Sequence, residues 1–130
     1  LKCCFFSARK EPPNGQGKWV YKTGAIAEGF FKKGRLYGPG KIIYPNNRID
    51  EGTFKNNHLV EGTRIHPNGV KEEGKFRIEL DGYGKTFYPN GDLDEGNFKQ
   101  GMFQGTKIYS TKVKEEGKFR AAHYLARGTF

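Results

Sequence analysis

The chain has 130 residues, of which 19 are glycine and 15% are aromatic, and its formal net charge is +9. Glycine is at about twice its usual share of roughly 7%, and alanine and leucine are scarce, which argues against a helical bundle. No apolar run approaches the roughly 20 residues of a membrane-spanning helix. The positive charge favours an anionic partner, which could be nucleic acid, anionic lipid or an acidic protein face.

Residues 1–13 precede the first repeated pattern and are predicted to form an N-terminal extension. They hold both cysteines, Cys3 and Cys4. Neighbouring cysteines rarely pair with each other, so we expect a reduced thiol pair in an intracellular protein. S-acylation beside Phe5 and Phe6 is the alternative. Lys2 and a short apolar stretch do not make a signal peptide.

From residue 14 onward the chain repeats itself. The pattern Glu-Gly-x-Phe occurs five times, with glycine-to-glycine spacings of 23, 22, 22 and 21 residues. The five copies begin at Glu28, Glu51, Glu73, Glu95 and Glu116. A second glycine column shares the period and comprises Gly17, Gly40, Gly62, Gly84, Gly105 and Gly128. Such a period predicts a stack of small structural repeats.

Each repeat is predicted to be a β-hairpin. One strand surrounds Glu-Gly-x-Phe, and the other follows the second glycine, over residues 18–21, 41–44, 63–66, 85–88 and 106–109. Turns such as Pro67-Asn68-Gly69 and Pro89-Asn90-Gly91 lie between repeats, and Asn-Gly tolerates the positive φ of a tight primed turn. A single hairpin is marginal in water, so each one needs its neighbours.

Two columns of side chains follow from this register. Neighbours in a strand point to opposite faces, so we expect an aliphatic face and an aromatic face. We also expect the glycines to leave room for rings from adjacent strands. The aliphatic column is Val20, Ile43, Ile65, Phe87 and Ile108. The aromatic column, a candidate binding surface, is Tyr21, Tyr44, His66, Tyr88 and Tyr109.

A basic residue directly follows each motif phenylalanine, on the same face as the motif glutamate. This candidate cationic column comprises Lys32, Lys55, Arg77, Lys99 and Arg120. One interpretation is cross-strand charge pairing that keeps the sheet soluble. The alternative is a stripe that binds an anionic partner.

The pattern resembles the MORN repeat, whose units read roughly Tyr-Glu-Gly-x-Phe, Gly-x-Gly, then an aromatic residue and an Asn-Gly turn. The resemblance covers residues 14–130 as about five units, the last incomplete. It implies an all-β fold: an elongated, single-layer antiparallel sheet of stacked hairpins with about ten strands and little or no helix. Residues 120–127 alone have a helical composition. The family's tyrosine before the motif glutamate is replaced here by Ala27, Asp50, Glu72, Asp94 and Glu115.

No catalytic constellation is evident. Gly84-Lys85-Thr86 matches only the end of a phosphate-binding loop and falls in a predicted strand. His58, His66 and His123 lack metal-ligand spacing. We therefore expect neither enzymatic activity nor a metal or other cofactor, and the absence of a nucleic-acid motif disfavours nucleic acid.

The resemblance implies a scaffold that binds a protein partner, since similar repeats occur in ciliary radial-spoke heads and other cytoskeletal assemblies. Similar repeats in junctophilins and plant phosphatidylinositol-phosphate kinases imply two alternatives. One is an adaptor that binds anionic phospholipid at the cytoplasmic face of a membrane. The other is the regulatory region of a larger enzyme.

Overall fold

The computed structural model describes residues 14–120. Ten antiparallel strands form one open sheet, and each strand is adjacent to its neighbours in sequence. The strands are β1 (Gly15–Val20), β2 (Ile26–Lys32), β3 (Arg35–Ile43), β4 (Ile49–Lys55), β5 (His58–Ile65), β6 (Lys71–Phe76), β7 (Leu80–Phe87), β8 (Leu93–Lys99), β9 (Met102–Ile108) and β10 (Lys114–Arg120). The predicted all-β sheet of about ten strands is confirmed.

Residues 14–120 contain no helix, and hence none long and apolar enough to cross a membrane. The chain divides into two compact units, Leu1–Gly62 and Thr63–Phe130, called here the N-terminal and C-terminal units. Several predictions fall outside the described residues. They concern the extension with Cys3 and Cys4, the helical composition of residues 121–127, and the positions of His123 and Gly128.

The second strand of each complete hairpin is longer than the sequence predicted. Strand β3 begins at Arg35 rather than at Lys41, and it ends at Ile43, one residue before Tyr44. The hairpin closes immediately after Lys32, because Lys33 and Gly34 both adopt positive φ and form a two-residue turn. Comparable pairs are Asn56 and Asn57, then Gln100 and Gly101. Their varied residue types hid this second set of turns.

The predicted Pro-Asn-Gly turns are present but are not primed turns. The Tyr44 amide donates to the Arg48 carbonyl, and the Asn47 amide donates to the Tyr44 carbonyl. The same pair of bonds recurs where Tyr21, His66, Tyr88 and Tyr109 open a turn. Within each loop positive φ falls on one residue, namely Gly24, Asn47, Gly69, Gly91 or Lys112. These loops are type I turns followed by one left-handed residue, so the primed-turn prediction was wrong.

The two glycine columns face each other across the strands. In the C-terminal unit Gly74, Gly84, Gly96, Gly105 and Gly117 are in continuous register. A Cβ on Gly74 would lie 2.7 Å from the Gly84 Cα and 3.1 Å from a Leu80 methyl. The expected aromatic ring over the glycine is therefore replaced by the neighbouring backbone and a leucine. Glycine is required because two backbones approach closely at a positive φ.

In each unit one face of the sheet, the core face, carries the buried side chains. Its largest members include Phe31, Leu36 and Phe54 in the N-terminal unit and Phe76, Leu80, Phe98 and Phe103 in the C-terminal unit. The expected aliphatic face is not the core. Val20 is 40% and Ile65 39% exposed, on the opposite face, called here the open face. Alternation assigned these residues correctly to a common face, but it does not indicate which face is buried.

Candidate binding surfaces

The predicted aromatic column is largely occupied by contacts within the chain. His66 Nε2 lies 2.7 Å from Glu72 Oε1, and the Tyr88 hydroxyl donates to Asp94 at 2.7 Å. The Tyr109 hydroxyl donates to Glu115 at 2.8 Å, and this bond is the main reason why the pKa of Tyr109 is raised. Each pair spans six residues. The aromatic column thus supports the acidic positions that replace the family's tyrosine.

Asp94 is fully buried, and both of its oxygens are satisfied. Oδ2 accepts from Tyr88, and Oδ1 lies 2.7 Å from the Lys107 ammonium. That ammonium is 5.7–6.0 Å from the centroids of four rings, which belong to Tyr88, Phe103, Tyr109 and Phe119. The ion pair and the ring faces together compensate for removing both charges from water.

Two arginines play comparable parts on the same face. Arg48 lies 3.3 Å from the buried Asp50 and 4.3 Å from the centroid of the Tyr44 ring. Arg64, only 8% exposed, donates to the Ile78 carbonyl and lies 4.9 Å from the Phe76 ring. Composition places such residues at the surface, so the sequence did not reveal them as core. Their one signal was position, since Arg64 and Lys107 both lie two residues after a column glycine.

The first repeat breaks this pattern. The residue six positions after Tyr21 is Ala27, which is fully buried and offers no acceptor. The Tyr21 hydroxyl is buried and makes no hydrogen bond of ordinary geometry, and the Asn57 side chain is the polar group that acts on it. Burial raises the pKa of Tyr21, and the nearby Asn57 side chain offsets only part of that effect.

The predicted cationic column, named here the cationic row, lies at the hairpin ends, with Arg77 in the β6–β7 loop and the other four members on the open face of their strands. All five members, Lys32, Lys55, Arg77, Lys99 and Arg120, are exposed. The motif glutamates are paired with a different set of bases. In the N-terminal unit Lys18, Glu28, Lys41 and Glu51 are in direct cross-strand register. We call these four residues the alternating row.

Beside the alternating row, the N-terminal unit presents an aliphatic row on the open face. Its members, in cross-strand register, are Val20, Ile26, Ile43 and Ile49. The equivalent row of the C-terminal unit is Lys71, Phe87, Leu93, Ile108 and Lys114. There the Lys71 ammonium lies 5.5 Å from the Phe87 centroid and 3.2 Å from Glu73. A lysine therefore covers Phe87 in this row, whereas the N-terminal row consists of aliphatic side chains alone.

A shallow cavity of about 300 Å³ lies at the β6–β7 loop and is lined by Arg77, Ile78, Glu79, Leu80, Asp81 and Gln100. Ile78 is 86% exposed at its rim. Burial, with the charge of Glu72 next in importance, raises the pKa of Glu79. Among residues 14–120 no three acidic, histidine or cysteine side chains converge as a metal site.

The paired glycines and stacked hairpins define a repeat protein whose sheet is built from one recurring backbone unit. The MORN repeat model matches residues 12–26, 28–47, 74–93 and 95–106, just over half of the chain. The chain belongs to the MORN-repeat family, which indicates a repeat-based binding module. Comparison with curated proteins gives no match.

Proposed function

We propose that the chain is a non-catalytic scaffold, and that the open face of its N-terminal unit binds a protein partner within a larger assembly. The aliphatic row carries this proposal. These four residues lie on the face opposite the core, where Val20 is exposed and Ile26, Ile43 and Ile49 are half-buried. Contiguous apolar side chains on an exposed face are typical of interaction sites.

The family resemblance supports the proposed membership in a larger assembly, but it does not bear on which face of the sheet binds the partner. Since similar repeats occur in ciliary and other cytoskeletal complexes, we place the chain in a cytoskeletal or ciliary structure. The acidic partner that the net charge suggests would meet Lys32 and Lys55, the members of the cationic row in this unit, as part of a polar rim around an apolar centre.

Affinity purification from the native cells tests this function. Ile49→Lys introduces into the aliphatic row the residue that Lys71 contributes to the equivalent row, so the substitution should not unfold the sheet. We expect a stoichiometric partner protein with the wild type and at least a tenfold loss with Ile49→Lys. Leu93→Lys, at the matched position of the C-terminal unit, should retain it. Equal retention by all three proteins would refute the proposal.

A second candidate function is binding to an anionic membrane, which the exposed cationic row favours. Each lysine or arginine near an anionic surface contributes about 1 kcal/mol. We would measure retention on phosphatidylserine vesicles at about 0.15 M salt. This candidate requires that the wild type be retained and that Lys32→Glu, Lys55→Glu and Lys99→Glu together abolish retention. The scaffold proposal requires that the wild type ignore the vesicles.

A further inference from the structure

The aliphatic and alternating rows of the N-terminal unit run side by side across strands β1 to β4. Each strand contributes one aliphatic residue to the first row and, two positions away on the same face, one charged residue to the second. Along the second row the charge alternates strictly, in the order Lys18, Glu28, Lys41 and Glu51. The rows therefore form a two-track surface with a period of one strand, about 4.8 Å.

That period is close to the 5.4 Å pitch of an α-helix. A helix crossing the four strands would place about one turn over each strand. Its apolar stripe would cover the aliphatic row, and one flank would face the alternating row. Because the row alternates in sign, the matching flank carries charges of alternating sign spaced one turn apart.

We propose that the partner segment bound by this face is an amphipathic α-helix with an apolar stripe flanked by the order acid, base, acid, base. This inference rests on the proposed scaffold function and specifies the partner's chemistry. The charge order provides register and specificity more than affinity, because exposed ion pairs are individually weak. The apolar stripe supplies most of the binding.

The C-terminal unit lacks an equivalent pair of unbroken rows, which makes it a poor site for the same helix. There Lys71 covers Phe87, and Thr106 interrupts the charged row after Glu73, Lys85 and Glu95. A helix with the proposed flank would lose its register on that unit. The N-terminal unit is therefore the site, and the C-terminal unit provides an internal control.

Two synthetic helical peptides of about 16 residues, stapled because short helices are marginal in water, test the inference. Both carry the same leucine stripe and the same composition. The alternating peptide has the flank Glu, Lys, Glu, Lys, and the blocked peptide has Glu, Glu, Lys, Lys. Titration calorimetry with the full chain should show the alternating peptide binding at least fivefold more tightly. Ile49→Lys should weaken both peptides at least tenfold, and Leu93→Lys should weaken neither.

A charge swap tests the order of the charges while keeping the composition and the net charge. Glu28→Lys with Lys41→Glu exchanges two residues that face each other across strands, so their own pair and the net charge are kept. The swap also sets like charges opposite each other at positions 18 and 28 and at positions 41 and 51, so urea unfolding first establishes that the variant is folded. The row then reads base, base, acid, acid, and we expect the preference to invert toward the blocked peptide. Equal affinity of both peptides for both proteins would overturn the inference, as would binding to phosphatidylserine vesicles that Ile49→Lys abolishes. A partner captured natively without any peptide selectivity would overturn this inference while leaving the scaffold function standing.

Discussion

The two units share one backbone design but carry different chemistry on both faces of the sheet. On the core face, the row beside the glycines is Trp19, Ala27, Ile42 and Asp50 in the N-terminal unit. In the C-terminal unit it is Glu72, Thr86, Asp94, Lys107 and Glu115. On the open face the N-terminal unit carries four aliphatic residues, where the C-terminal unit has lysines at two of five positions. The paired glycines and the turns specify the strand arrangement, and the rows between them are free to diverge.

The largest expected effect concerns the paired glycines, which both units share. A Cβ at Gly52 would lie 2.7 Å from the Gly62 Cα, and one at Gly96 would lie 2.8 Å from the Gly105 Cα, both at positive φ. Gly52→Ala and Gly96→Ala should each cost about 4 kcal/mol or more, because left-handed strain adds to a backbone clash. Urea unfolding measures both.

Gly117→Ala is the matched control, since its Cβ would meet nothing within 4 Å among the described residues. It retains the backbone strain and loses only the clash. A cost at Gly52 no larger than at Gly117 would show that the close approach is unimportant.

The second prediction tests whether the buried Asp94–Lys107 ion pair of the C-terminal unit is needed for the fold. Asp94→Ala leaves the Lys107 ammonium without its counter-ion and the Tyr88 hydroxyl without its acceptor, at a cost of about 3 kcal/mol. Tyr88→Phe, Asp94→Leu and Lys107→Leu together replace the buried ion pair and its tyrosine donor with apolar side chains, as Ala27 and Ile42 are in the N-terminal row. That triple variant should lie within about 1.5 kcal/mol of the wild type in chemical denaturation. If it is as unstable as Asp94→Ala alone, the ion pair is needed for the fold itself.

The third prediction contrasts two tyrosines at equivalent turns. Tyr88→Phe removes a hydrogen bond to a buried carboxylate and should cost about 1.5 kcal/mol. Tyr21→Phe removes a buried hydroxyl that makes no hydrogen bond of ordinary geometry, so stability should be unchanged or slightly higher. Thermal unfolding of both variants near pH 7 compares them. A larger loss for Tyr21→Phe than for Tyr88→Phe would contradict the acid pairing.

Tyr21 also predicts a response to alkali. Its pKa is raised in the folded state, so its ionisation does not change the free energy of unfolding at pH values below the ordinary pKa of about 10. Folded-state stability is then lost as the pH rises through the raised value. Tyr21→Phe should flatten this alkaline decline, and an unchanged profile would show that Tyr21 does not contribute to it.

The smallest effect is expected at Glu79, beside the β6–β7 loop of the C-terminal unit. Because its folded-state pKa is raised, the carboxylate destabilises the fold once the pH exceeds that value, and the cost disappears in acid below the unfolded pKa. Glu79→Gln should raise the melting temperature slightly at neutral pH, within the ~0.5 kcal/mol typical of surface sites. The advantage should vanish in acid. A destabilised Glu79→Gln would refute the argument.

The sequence predicts the repeat, the strand number and the glycine register because these depend on backbone geometry, which recurs at a fixed period. It does not predict which face is the core. Asp94 and Lys107 are charged yet buried, and Ile43 is apolar yet on the open face, so composition pointed the wrong way at these positions. Only the pairing of side chains from different strands, such as Asp94 with Lys107, makes the charged interior stable. A single strand contains no signal for that pairing.

The division into a core face and an open face is the central claim, and neighbouring isoleucines test it most directly. The chain has seven isoleucines, and Ile42 and Ile43 lie on opposite faces of the same strand. NMR of δ1-methyl-labelled protein with a soluble gadolinium chelate measures the solvent exposure of each methyl. We predict clear attenuation at Ile43, comparable to that at Ile26 and Ile49, which are half-buried like it, and a protected signal at Ile42, which is 4% exposed. Equal attenuation of Ile42 and Ile43, or protection of Ile43 alone, would contradict the account.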